Sequence, residues 1–76
     1  MSRLPQVKPR QMLAALGRAG FETRRIKGSH HHYLVHKDDP GRRTTVAVHS
    51  GDLPVRDVRD ILKQSKISRN EFLKLL

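Results

Sequence analysis

The sequence contains no cysteine and no tryptophan, and only three aromatic residues, Phe21, Tyr33 and Phe72. Without thiols, no disulfide, thiolate metal site or cysteine nucleophile is available, so the fold must stand on packing. With so few aromatics, the interior has to be built from Leu, Val, Ile and Ala. Long apolar runs are missing too: no segment approaches the roughly 18 apolar residues of a membrane span, and Met1 to Gly20 holds nothing like the apolar stretch of a signal peptide. The expectation is a soluble, cytoplasmic protein with no membrane partner. A chain of 76 residues fits one small domain over 1–76 and buries only about 60% of its unfolded surface. A hollowed core would leave too little apolar burial to offset the entropy of folding. Chemistry is therefore expected on the surface, with no small-molecule cofactor.

Acidic residues are also scarce, seven against sixteen Lys and Arg, for a net charge of +9 and a pI near 11.2. Such a field favours encounter with a polyanion, although a solubilising coat of charge is the plainer reading. The distribution is uneven. Residues 1–51 carry ten basic and three acidic side chains and residues 52–76 six and four, so +7 of the +9 lies in the first two thirds.

Pro9 to Ala19 places Met12, Leu13, Leu16 and Ala19 at helical spacing, with Pro9 suited to the first position and Gly20 to the stop. Gly17 inside this helix suggests close packing against a neighbour. Phe21–Lys27 reads as a strand ended by Gly28, Ser29–Lys37 as a second closed by Asp38, Asp39, Pro40 and Gly41, and Arg42–His49 as a third. Short turns between them predict an antiparallel meander. Pro54 opens a helix running to about Lys66, with Asp57 in its first turn. Ser68 and Glu71 form a capping box, with Ile67 and Phe72 as the hydrophobic staple of a last short helix. The fold class is α+β, with helices on one face of a three-stranded sheet and the other face open.

Five histidines are a heavy allotment, and four of them, His30, His31, His32 and His36, fall on the second strand. Residues two apart share a face. Tyr33 and Val35 make the better core face, which takes His31 inward and leaves His30, His32, Leu34 and His36 outward. His30 then stands beside the Gly28–Ser29 corner in the most basic part of the chain. An accessible imidazole can take and return a proton near neutral pH, and RNA brings its own nucleophile, the 2′-hydroxyl. Cleavage then needs only proton transfer and cations to steady the phosphorane. His30 is the candidate catalyst; Arg24, Lys27 and Lys37 are candidate phosphate contacts, with Gly28, Ser29 and His32 completing the RNA-binding set and Ser29 or His32 available to assist proton transfer. A half-buried strand histidine with no chemical role is the competing reading. A zinc site on His30, His32 and His36 is disfavoured, because three such positions on one extended strand span too far to converge on a metal without His49.

The chain also resembles the HicA family of toxins. The residues carrying the resemblance are Ala19, Gly20 and Phe21; the run Lys27, Gly28, Ser29, His30, His31, His32, Tyr33, similar to the family's K-G-S-H-H-x-aromatic signature; Gly41 to Val46; His49, Ser50 and Gly51; Leu53 and Pro54; Ile61 to Gln64; and Ile67, Ser68, Glu71, Phe72 and Leu73. The pattern departs from the family at Val55 and Arg56. The resemblance implies a fold like the double-stranded RNA-binding domain (dsRBD), α-β-β-β-α, and ribonuclease activity on mRNA neutralised by a HicB-type antitoxin that covers the active histidine. It assigns catalysis to the histidine after Gly-Ser, here His30, with His31 the alternative. A catalytically silent RNA-binding module of the same fold is the rival reading.

Overall fold

The computed structural model describes residues 4–76; Arg3, counted above among the cations, lies outside the described residues. The elements are α1 (Pro9–Arg18), β1 (Phe21–Lys27), β2 (His31–His36), β3 (Arg43–Ala47), α2 (Val55–Ser65) and α3 (Arg69–Leu75). The strands form one antiparallel sheet in the order β1-β2-β3. This is the α+β, dsRBD-like arrangement expected, with a short helix added at the end. Among the described residues no helix is long and apolar enough to cross a membrane.

Pro9 sits at the first position of α1, where its missing N–H costs no helical bond. The Lys8 N–H donates to Gln11 Oε1 at 2.8 Å. Met12, Ala15 and Leu16 face inward, and the helix stops at Gly20, whose φ of +101° suits glycine. Gly17 does not lie against a neighbour as its sequence position suggested: a Cβ there would meet nothing within 4 Å.

The end of α2 is a Schellman motif built without glycine. Lys66 adopts φ +58°, the Ile67 N–H donates to Leu62 O at 3.0 Å, and the Lys66 N–H donates to Lys63 O at 3.3 Å. Ile67 and Leu62 are both buried, which supplies the accompanying apolar contact. Ser68 then caps α3, its Oγ accepting from the Glu71 N–H at 3.1 Å. Ile67 and Phe72 join Val7, Met12, Leu16, Phe21, Leu34, Val46, Leu53, Val58 and Ile61 in the core. Leu53 is pinned by its N–H bond to Val7 O, 2.7 Å.

The sheet register corrects the face assignment. Directly paired residues share a face, and Leu34 pairs with Thr23 and Thr44, His32 with Ile26 and Val46, and His36 with Phe21. Leu34, Val46, Thr44 and Phe21 are buried. The helices therefore cover the face of His32, Leu34 and His36, and the open face is that of His31, Tyr33 and Val35, the reverse of the expectation. His36 is accommodated there as an aromatic, its ring edge-on to Phe21 at 5.1 Å and 87°, with Nδ1 accepting the Asp38 N–H at 3.1 Å. One leucine, opposite the buried face of β3, outweighed the three imidazoles that made this face look polar. The strands are also shorter than expected, β2 beginning at His31 rather than Ser29 and β3 ending at Ala47 rather than His49.

Candidate functional site

The β1–β2 connection turns through two successive left-handed residues. Gly28 and Ser29 both have positive φ, +62° and +61°, a conformation that glycine adopts freely and serine rarely. The His30 N–H closes the turn on Lys27 O at 3.4 Å, and the His30 carbonyl accepts the Val48 N–H at 2.7 Å. His30 thus lies in the turn, not on the strand, and its side chain is exposed because the turn projects it, not because sheet alternation does. The two bonds to its backbone fix the base of an exposed imidazole between Lys27 and the end of β3.

Below this turn the open face is a grid of paired residues. Lys27, His31 and Ala47 form the row next to the turn; Arg25, Tyr33 and Thr45 form the second; Glu22, Val35 and Arg43 form the third. A bulge between Thr23 and Arg25 sets this register, so that Arg24 and Arg25 together oppose the single Tyr33. Arg24 pairs with Glu22 at 3.3 Å. Without the extra residue, Ile26 and Lys27 would exchange faces, because a one-residue slip inverts every side chain beyond it.

Of the six residues expected to touch RNA, Lys27, Gly28 and Ser29 surround the turn, and Arg24 sits at the bulge. His32 points to the helix side, half-buried between Ile26 and Val46. Lys37 follows the far end of β2, its N–H donating to Gly20 O at 3.0 Å, about 20 Å from the turn at the ordinary rise of a strand. The structure brings to the open face three residues not singled out from sequence, Arg25, Arg43 and Tyr33. Choosing Leu34 as the inward residue of β2 would have found Tyr33; the bulge that turns Arg25 outward has no sequence signal.

Arg42 serves the fold. Its Nε–H donates to Ser65 O at 2.8 Å, and its guanidinium lies 5.5 Å from the centroid of the Phe21 ring. With the Thr44 hydroxyl donating to Gln64 Oε1 at 2.6 Å, it ties α2 to the sheet. His49 turns back on its own loop, Nδ1 lying 2.9 Å from Ser50 O. Among the described residues no three His, Asp or Glu side chains are grouped so as to hold a metal ion.

The family model described as the HicA toxin of bacterial toxin-antitoxin matches residues 9–67 of the 76, so the chain belongs to that family. The match spans α1 to the start of the α3 cap and includes the whole sheet and the His30 turn. Membership makes it a toxin-family protein and implies an antitoxin partner. No curated protein matches the chain.

Proposed function

We propose that this HicA-family toxin is an endoribonuclease that cleaves mRNA without a metal, using His30 as general acid or base. The observation that carries the proposal is the His30 turn: an exposed imidazole on a backbone held in two successive left-handed residues, next to Lys27 and above a cationic sheet face. A tight turn between antiparallel strands asks for positive φ at its central residues, so the same backbone that joins β1 to β2 fixes where the imidazole stands. In the reaction, the 2′-oxygen attacks phosphorus, its proton passes to a base, and the P–O5′ bond breaks as O5′ is protonated. The products are a 2′,3′-cyclic phosphate and a 5′-hydroxyl. His30 serves one of these transfers, and Lys27 offsets charge on the phosphorane. His31, exposed in the first row of the open face, is a second imidazole next to His30 in the chain. It takes over the catalytic role if the residue after Gly-Ser is not the one used.

The RNA strand lies on the open face, its phosphates on Lys27, Arg25, Arg24 and Arg43 and a base against Tyr33. Gly28 and Ser29 let the strand approach the turn closely; on this geometry His32 and Lys37 contribute little. A HicB-type antitoxin, acidic on the surface that meets this face, silences the toxin by covering His30.

The test is incubation of purified protein with mRNA in EDTA, beside His30→Ala and His31→Ala variants shown by circular dichroism to be folded. Cleavage by the parent and by His31→Ala but not by His30→Ala is the expected result. RNA retarded on a gel but left intact by the parent protein would replace the enzyme with a binding module.

A further inference from the structure

Resting on the reading of the open face as the RNA platform, we propose that the groove between β3 and α2 is a nucleobase subsite that selects guanine beside the His30 turn. The groove has a volume of about 250 Å³, and its walls include His31 and Ala47 from the sheet and Asp57, Asp60, Ile61 and Gln64 from α2. His31 is the residue after His30, and Ala47 precedes Val48, whose N–H holds the His30 carbonyl. The groove therefore adjoins the turn. Pockets for drug-sized ligands run to about 300–1,000 Å³, so this one suits a single heterocycle rather than a whole nucleotide.

Its chemistry is the opposite of the surrounding surface. On a chain of charge +9, a recess flanked by two carboxylates repels the phosphate that the neighbouring cations attract, so an RNA strand can place a base there but not its backbone. Ala47 and Ile61 give the recess an apolar floor, and the exposed His31 ring offers a stacking wall. Asp57 and Asp60 lie three apart on one face of α2, and Gln64 follows one turn on. Because the Gln64 Oε1 accepts the Thr44 hydroxyl, its amide NH₂ is the group left to donate. Two acceptors and a donor match guanine, whose N1–H and N2–H₂ are adjacent donors and whose O6 accepts. Uracil presents two carbonyls to the same carboxylates and is repelled. Adenine and cytosine each offer a single amino donor.

The experiment titrates isotope-labelled His30→Ala protein with the 3′-monophosphates of guanosine, adenosine, cytidine and uridine and follows amide shifts by NMR. Guanosine monophosphate should shift His31, Ala47, Asp57, Asp60 and Gln64 and bind about tenfold more tightly than the uridine compound, the range expected for one bidentate base contact. Asp60→Asn, outside the first turn of α2, and the Asp57→Asn/Asp60→Asn double variant should lose that preference without losing their fold. Equal affinities for the four nucleotides, shifts confined to other residues, or no shift at millimolar nucleotide would overturn the proposal. So would a double variant whose only defect is weaker capture of the antitoxin, which would make the groove a protein contact. Cleavage is not the readout, so failure of the ribonuclease reading shows separately, as intact mRNA in the EDTA assay.

Discussion

Three glycines make a graded test of the backbone, because the same added methyl group meets three different situations. At Gly17 a Cβ meets nothing within 4 Å, at Gly28 it meets nothing but φ is +62°, and at Gly20 φ is +101° and the Cβ would lie 2.9 Å from His36 Nε2. Gly17→Ala removes only the entropic penalty of glycine in a helix, and near the helix end it should stabilise by about 0.5–1 kcal/mol. In a domain of this size that raises Tm by about 3–6 °C. Gly28→Ala should cost about 1 kcal/mol for a left-handed L-residue. Gly20→Ala adds overpacking to the φ penalty, and the ring it strikes is not free to move away, being edge-on to Phe21 and accepting the Asp38 N–H. Its cost should be about 2–4 kcal/mol. Urea unfolding followed by far-UV circular dichroism measures all three. Adding His36→Ala to Gly20→Ala should recover the overpacking part and leave the φ part, a coupling that a double-mutant cycle reads directly. The reasoning is refuted if Gly17→Ala destabilises, or if Gly20→Ala costs no more than Gly28→Ala.

Other expected outcomes follow from single contacts. Lys66→Gly relieves a left-handed lysine at the end of α2 and should stabilise by about 1 kcal/mol in the same unfolding assay. Arg42→Ala removes a charged donor from Ser65 O and a cation from the Phe21 ring; because the side chain is partly solvated the loss should be about 1–2 kcal/mol, and RNA affinity at a temperature where the variant is folded should change little. Arg25→Ala and Arg43→Ala, on the open face, should do the reverse, leaving Tm within about 2 °C while each reduces the slope of log affinity against log salt by about 0.7 for single-stranded RNA. Unchanged salt slopes in both variants would move the RNA off the open face.

The element order, the first strand, the helix start at Pro9 and the Ser68 cap were legible in the sequence because each depends on contacts a few residues apart; α2 starts one residue later than expected, at Val55, with Pro54 as its extended cap. Proline at a first position, glycine at a stop and serine three residues before glutamate are local devices. The face of β2 was not legible, because it depends on what lies across the strand. Val46 and Thr44 on β3 and Thr23 on β1 pair with His32 and Leu34, and this pairing, with the core residues of the helices behind it, buries Leu34 to 2% exposure. Alternation within β2 gave two candidate faces and no means of choosing except hydrophobicity, which Tyr33 and Val35 won against three histidines.

The same non-local logic sorts the candidate site. His30, Lys27, Gly28 and Ser29 lie within one four-residue turn, so their proximity was present in the chain itself. Lys37 was placed with them only by sequence distance, and an extended strand converts the intervening residues into about 20 Å of separation. Arg25, by contrast, reaches the open face through the bulge at Arg24, which inserts one residue against Tyr33 and reverses the faces of everything from there to the turn. That reversal gives Ile26 to the helix side, where it remains 52% exposed at the sheet edge, and gives Arg25 and Lys27 to the side that carries His31 and Tyr33. The cost is one poorly covered isoleucine, and the gain is a pair of cations, Arg25 and Lys27, on the face that ends at the His30 turn. Ile26 is one of four large apolar side chains exposed among the described residues, with Val55, Leu73 and Leu76, so its exposure is an ordinary surface feature. The consequence that bears on a polyanion is that the bulge sets Arg25 and Lys27 on one face, where both can meet phosphates.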